Sequence, residues 1–165
     1  MLRNSREINL SDPRDPATRQ PYHAPGGKLE TDASKLKWRT ESVRRVTGQS
    51  IVDLFRSYRD DDLRIRAAGL VVGSVIDPAA IANPHIRAHA LEGQLFRTTL
   101  AAALQSHGLH CAIVTERDAY ATAAKSLGQS DAQIKRRLAD FGEAANGPWR
   151  AEQKLAALAA WMSLR

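Results

Sequence analysis

The sequence predicts a helix-rich α/β protein with a small parallel sheet, one βαβ unit built around a helix over 84–107. Three observations point there. Two short runs, LVVGSVI at 70–76 and CAIVT at 111–115, are β-branched and apolar without alternation, as strands buried on both faces are. Between them NPHIRAHALEGQLFRTTLAAALQSHG carries helical periodicity over more than twenty residues. The spacing of strand, helix and strand suits a right-handed crossover.

The chain has 165 residues, 43% of them hydrophobic and 25% charged, which is enough to bury a core. Residues 1–34 read as a flexible arm. Pro13, Pro16, Pro21, Pro25 and the Gly26-Gly27 pair interrupt it, and no helical or strand period runs through it. The single domain is expected over 35–165. Its first part, 35–62, reads as a basic helical hairpin. Gly48 is expected to stop one helix in the left-handed conformation, and Ser50 with Asp53 to cap the next. Helix, glycine-containing turn and helix is the layout of a helix-turn-helix, in which Arg56 and Arg59 would face a major groove. Lys35, Lys37, Arg39, Arg44 and Arg45, with Trp38 among them, form a cluster able to track a phosphate backbone. The solvated face of an ordinary helix looks the same, and Asp60-Asp61-Asp62 would repel phosphate.

In the central helix Asn83 is the expected N-cap, Pro84 the first helical residue and Gly108 the left-handed stop. Leu91, Leu95, Phe96, Leu100 and Leu104 share one arc, with Arg87, Gln94, Arg97, Thr98 and Gln105 opposite. His85, His89 and Glu92 project near the middle of the apolar arc, and titratable groups aimed inward need a reason. After the second strand, helices are expected over 118–127 and 131–141, divided by Gly128 and Ser130, then a loop over 142–147. A last helix should open at Pro148, with Leu155, Leu158 and Met162 as its core stripe. Trp149, Arg150 and Lys154 fall at its start, where cations oppose the helix dipole unless an anion is nearby; reaching out to solvent is the alternative. Two strands are too few for an independent sheet. Either Ile8–Leu10 supplies a third, or a second subunit completes the sheet as a homodimer, or one strand assignment is wrong.

Ligands of open α/β sheets lie beyond the carboxyl ends of the strands. Asp77 ends the first strand, Glu116 ends the second, and the positive end of the central helix carries His85 and His89. These four residues with Glu92 are the candidate catalytic set. His85 and His89, at i and i+4, can share a metal. Glu92 lies about 10 Å along the axis from His85, too far to join them on one ion, and is better placed to orient His89. A zincin would need glutamate at position 86, which is Ile86, so a metalloprotease is rejected. A two-histidine site is incomplete, so a divalent metal would need Asp77 or Glu116 as a further ligand, an arrangement suited to phosphodiester hydrolysis. The RNase H-like nucleases use carboxylates in this general manner, but the likeness is one of fold class, and none of their residues is carried over. The competing assignments are ordinary: core histidines with satisfied partners, and an aspartate in a turn before Pro78.

Glycine-rich phosphate loops are absent. His107, His110 and Cys111 could form a local metal site, although Gly108 breaks the helix between them. Cys111 is the sole cysteine, so an intramolecular disulfide and a thiolate zinc cluster are both excluded; it reads as a buried thiol. No run is long enough to span a membrane, and Met1–Leu10 lacks the apolar core of a signal peptide. A reducing, cytoplasmic setting is therefore expected. A formal charge of +6 favours anionic partners. The function expected is a nucleic-acid-associated protein whose polar pocket handles a phosphate group, with metal-dependent phosphodiester hydrolysis as its chemistry. The alternatives are a non-enzymatic helix-turn-helix module and a homodimeric small-ligand-binding or scaffold domain.

Overall fold

Five α-helices and a pair of parallel strands make up the frame in the computed structural model, which describes residues 6–145 and 148–164. The helix-rich α/β class holds. The strands are β3 (Ala68–Val72) and β4 (Cys111–Thr115), paired in parallel with Ala68 opposite Cys111 and Val72 opposite Thr115. β3 begins earlier than expected and stops before Gly73, so Ser74–Ile76 are not strand. Ile8–Leu10 supplies no third strand. A separate antiparallel pair, β1 (His23–Ala24) and β2 (Lys28–Leu29), lies in the supposed arm.

The chain divides into two compact units, and the division does not fall at residue 34. One unit takes in Arg66–Gly73 and Gly108–Arg165; the other takes in Ile8–Ile65 and Ser74–His107. The strands and the central helix follow one another in the expected order, but the helix groups with α1 rather than with the sheet.

In the first unit α3 (Ala119–Leu127), α4 (Asp131–Ala144) and α5 (Ala151–Ser163) accompany the sheet. Ala119, Ala123, Leu127, Ile134, Leu138 and Leu158 form the core, with Val114 of β4 packed against it. Gly128 is left-handed as predicted (φ 63°), and Ser130 caps α4 in a reciprocal box with Gln133. α4 runs on to Ala144, through the first part of the expected loop; residues 146 and 147 lie outside the described residues. α5 begins at Ala151, not Pro148. The small sheet has its missing cover in α5: a Cβ on Gly69 would stand 2.6 Å from the Ala159 carbonyl oxygen, so helix and strand backbones approach as only glycine allows.

The second unit pairs α1 (Ala33–Asp60) with α2 (Pro84–Ser106). α1 is a single 28-residue helix. Gly48 is helical within it, so there is no turn between two helices and the helix-turn-helix layout is not formed. Thr40, Val43, Thr47 and Ile51, at spacings of three and four, are its buried face. In α2 the predicted ends are present. Asn83 accepts from the N–H groups of His85 and Ile86 at 3.0 and 3.2 Å, and Gly108 is left-handed just past the helix.

The segment expected as an arm is tied along α1 in antiparallel order, from residue 9 onward; residues 1–5 lie outside the described residues. Ser50 donates to the Asn9 carbonyl (2.6 Å) and Thr47 to that of Leu10 (3.2 Å). Arg45 pairs with Asp12 at 3.3 Å, and the Trp38 indole donates to Asp15. Arg39 donates to the carbonyls of Pro21 and His23 at 3.2 and 3.1 Å and pairs with Glu30 at 3.3 Å. Apolar periodicity is missing there because the attachment is polar.

Candidate metal centre

Three imidazoles meet at the start of α2. His85 and His89 stand one turn apart on its first turns, as their spacing requires. The third is His23, which the sequence reading passed over. β1 carries it, and the clamp of Arg39 on the Pro21 and His23 carbonyls fixes the backbone that presents it. One nitrogen from each ring lies within 4.8 Å of the other two, and no other trio of histidine, cysteine and acidic groups is so placed among the described residues. Ring centroids are 4.4 to 5.1 Å apart.

Glu92 organises the trio. Its side chain is 8% exposed, as is that of His23. Oε1 accepts from His23 Nδ1 at 2.8 Å and from the Tyr22 backbone N–H at 3.3 Å, while Oε2 lies 3.4 Å from His89 Nδ1. An ionised carboxylate only accepts, so it places the His23 proton on Nδ1, and its 3.4 Å approach to His89 Nδ1 favours the same tautomer there. In the neutral ring Nε2 then carries the lone pair that a metal requires. Glu92 thus lies beside His89, the ring it was expected to orient, but its hydrogen bond goes to His23.

On the third ring, Nδ1 of His85 donates to the Gly27 carbonyl at 3.1 Å and lies 3.2 Å from His23 Nε2. Gly27 has φ +72°, and a Cβ there would sit 3.4 Å from His85 Nδ1, so glycine at this turn lets the carbonyl come up to the ring. The single lone pair on His23 Nε2 serves either the 3.2 Å contact with His85 or an ion, so holding an ion requires that contact to open. A tetrahedral zinc site wants ligand nitrogens about 3.3 Å apart, so the trio, spread over as much as 4.8 Å, must draw in to share one ion. His23 is enclosed while His85 and His89 are exposed, so the centre opens to solvent on their side. The donor set fits zinc or another imidazole-preferring divalent ion.

No family model matches this chain, and no characterised protein or solved structure does either.

The remaining predicted residues are placed otherwise. Asp77 turns its carboxylate back to accept from the Ala79 N–H at 2.9 Å, capping a turn of 3-10 helix. Glu116, exposed at the end of β4, belongs to the other unit. Neither is in the trio, whose third imidazole, His23, comes instead from the polar segment before α1. His107 stacks on Phe55 with centroids 4.5 Å apart. Burial pushes the Cys111 thiol up, which lowers its thiolate fraction and suits the inert reading.

Of the predicted phosphate-tracking residues, Arg39 and Arg45 are engaged with Glu30 and Asp12 and hold the preceding segment in place. Lys35 pairs with Asp32 at 3.8 Å and Arg56 with Asp53 at 2.9 Å, both within α1 or its cap. Lys37, Arg44 and Arg59 are exposed on the same helix. Trp38, though bonded to Asp15, is 62% exposed. Among the described residues no helix is long and apolar enough to cross a membrane.

Proposed function

We propose that His23, His85 and His89 hold a divalent ion, zinc first among candidates, and that the centre hydrolyses phosphate esters of an anionic substrate such as nucleic acid. The observation that carries the reading is the buried Glu92 carboxylate fixing His23, and approaching His89, at the rim of a three-imidazole cluster. Three protein ligands with an open side is the stoichiometry of catalytic rather than closed structural zinc sites. His23, His85 and His89 would hold the ion, and the chemistry it would supply there is a bound water acidified to a pKa of about 7 and so nucleophilic at neutral pH.

The chain's own groups supply the rest. Glu92 keeps protons on the outer nitrogens. The positive dipole end of α2, whose first-turn N–H groups Asn83 already caps, favours negative charge beside His85. The net charge of +6 and the exposed Lys37, Arg44 and Arg59 favour an anionic substrate. A second reading, a structural metal clip, is favoured by His23 lying on a segment otherwise attached by polar contacts.

Metal analysis with zinc titration tests the centre, and zinc-dependent hydrolysis of bis(4-nitrophenyl) phosphate tests the chemistry. One ion per chain is expected, lost in His23→Ala together with turnover. Equal uptake by the wild type and a His23→Ala/His85→Ala/His89→Ala variant overturns the centre. Binding without turnover leaves the clip and removes the hydrolase.

A further inference from the structure

A second site lies in the other unit and uses the residues at the start of α5 that the metal reading leaves aside. A cavity of about 650 Å³ is walled by α3, α4 and the chain entering α5. That is the size range of small-molecule sites. Its lining includes two aromatic rings, Tyr120 and Trp149, two cations, Lys135 and Lys154, and one carboxylate, Glu143. Lys135 Nζ stands 5.9 Å from the centre of the Tyr120 ring. Lys154 is in the first turn of α5, where a cation works against the helix dipole.

Trp149 gives the independent observation. Its indole lies flat against Gly142 of α4, so close that a Cβ at that position would be 2.6 Å from Nε1. Nε1 is buried and has no acceptor among the described residues. A buried N–H without a partner is costly, and such groups are commonly completed by something bound. Lysines in excess of acids call for an anion, and aromatic walls call for a flat partner.

We propose that this cavity binds a planar ring bearing an acidic group, the chemistry shared by a mononucleotide and an aromatic carboxylate. The ring packs on Tyr120 and Trp149, the acidic group pairs with Lys135 and Lys154, and a shift of the indole away from Gly142 brings the Trp149 N–H to an acceptor atom of the ligand. The proposal is independent of the metal centre, which the other unit carries.

The test uses the whole chain and four probes: adenosine 5′-monophosphate, benzoate, adenosine and inorganic phosphate. The readout is the indole N–H resonance of Trp149, assigned by its loss in Trp149→Phe. At least one ring-bearing anion should move that resonance and saturate by about 10 mM, and the stronger of the two names the source. Adenosine and phosphate alone should bind ~10-fold more weakly, as should the better anion to Lys135→Met or Lys154→Met. Lys135 is exposed, so its variant folds. His23→Ala should bind as the wild type does. A still resonance with both ring-bearing anions overturns the proposal. So does equal affinity for phosphate alone, full affinity in both lysine variants, or loss of binding in His23→Ala.

Discussion

Replacing Glu92 by glutamine changes one atom beside the proposed metal centre and should turn one imidazole, His89, out of its ligating tautomer. A carboxylate accepts at both oxygens; a side-chain amide accepts at one and donates at the other. The oxygen is expected at the Oε1 position, where His23 Nδ1 (2.8 Å) and the Tyr22 N–H (3.3 Å) both need an acceptor. The amide nitrogen then faces His89 Nδ1, 3.4 Å from Oε2 in the wild type. That contact favours the tautomer with its proton on Nε2, which cannot ligate. Loss of such an orienting partner costs 10–100-fold in metal affinity, or about 1.4–2.7 kcal/mol. Zinc affinity of wild type and Glu92→Gln, measured by competition with a chromophoric chelator, gives the ratio. Metal-free thermal melts confirm that both chains fold. A ratio below about two-fold with the fold intact would refute the tautomer argument.

The other expectations concern the frame. Gly48→Ala should stabilise the protein by about 0.5–1 kcal/mol, because Gly48 is inside a continuous helix with open space at its Cβ; a left-handed stop there would instead make alanine destabilising, and denaturant melts give the sign. Gly69→Ala should cost about 1–3 kcal/mol by forcing α5 off β3 at the Ala159 carbonyl, read in the same melts. Arg39→Met should lower zinc affinity by about ten-fold although it touches no imidazole, because the His23 carbonyl loses its clamp; an unchanged affinity would show that β1 holds itself. Glu30 is held below the usual glutamate range, first by the Asp32 N–H, then by the Thr31 N–H and the charges of Lys35 and Arg39. A depressed folded value stabilises above the unfolded pKa and is lost as pH falls through the folded one. Proteolysis of the Pro21–Glu30 segment should therefore rise as acid passes below the ordinary carboxylate range, and Glu30→Gln should flatten that rise.

Much of the second helix was legible because its signals are local. Asn83, Pro84 and Gly108 act within a turn of where they stand, and the i, i+4 spacing of His85 and His89 needs no tertiary knowledge. β4 was readable from five consecutive residues for the same reason. Gly48 misled because its propensity for a stop is weak beside the packing of a long helix: Val43 and Ile51, buried on either side of it, need one unbroken face.

His23 was illegible for a deeper reason. It stands 62 residues from His85 in a proline-rich stretch with no period, and what fixes it there is a series of hydrogen bonds, which leave no repeat in a sequence. The signal that existed was on α1. Thr40, Ser42 and Thr47 are small hydroxyl residues buried on a helix otherwise rich in charge, and a buried hydroxyl implies a carbonyl or N–H to meet it. Thr47 meets the Leu10 carbonyl, and Ser50 meets that of Asn9 one turn further on. Glu92 poses the same question on α2: a carboxylate on an apolar arc must have donors, and neighbours on its own helix supply only His89. The missing donors had to come from elsewhere in the chain, and they come from Tyr22 and His23 in the segment expected as an arm.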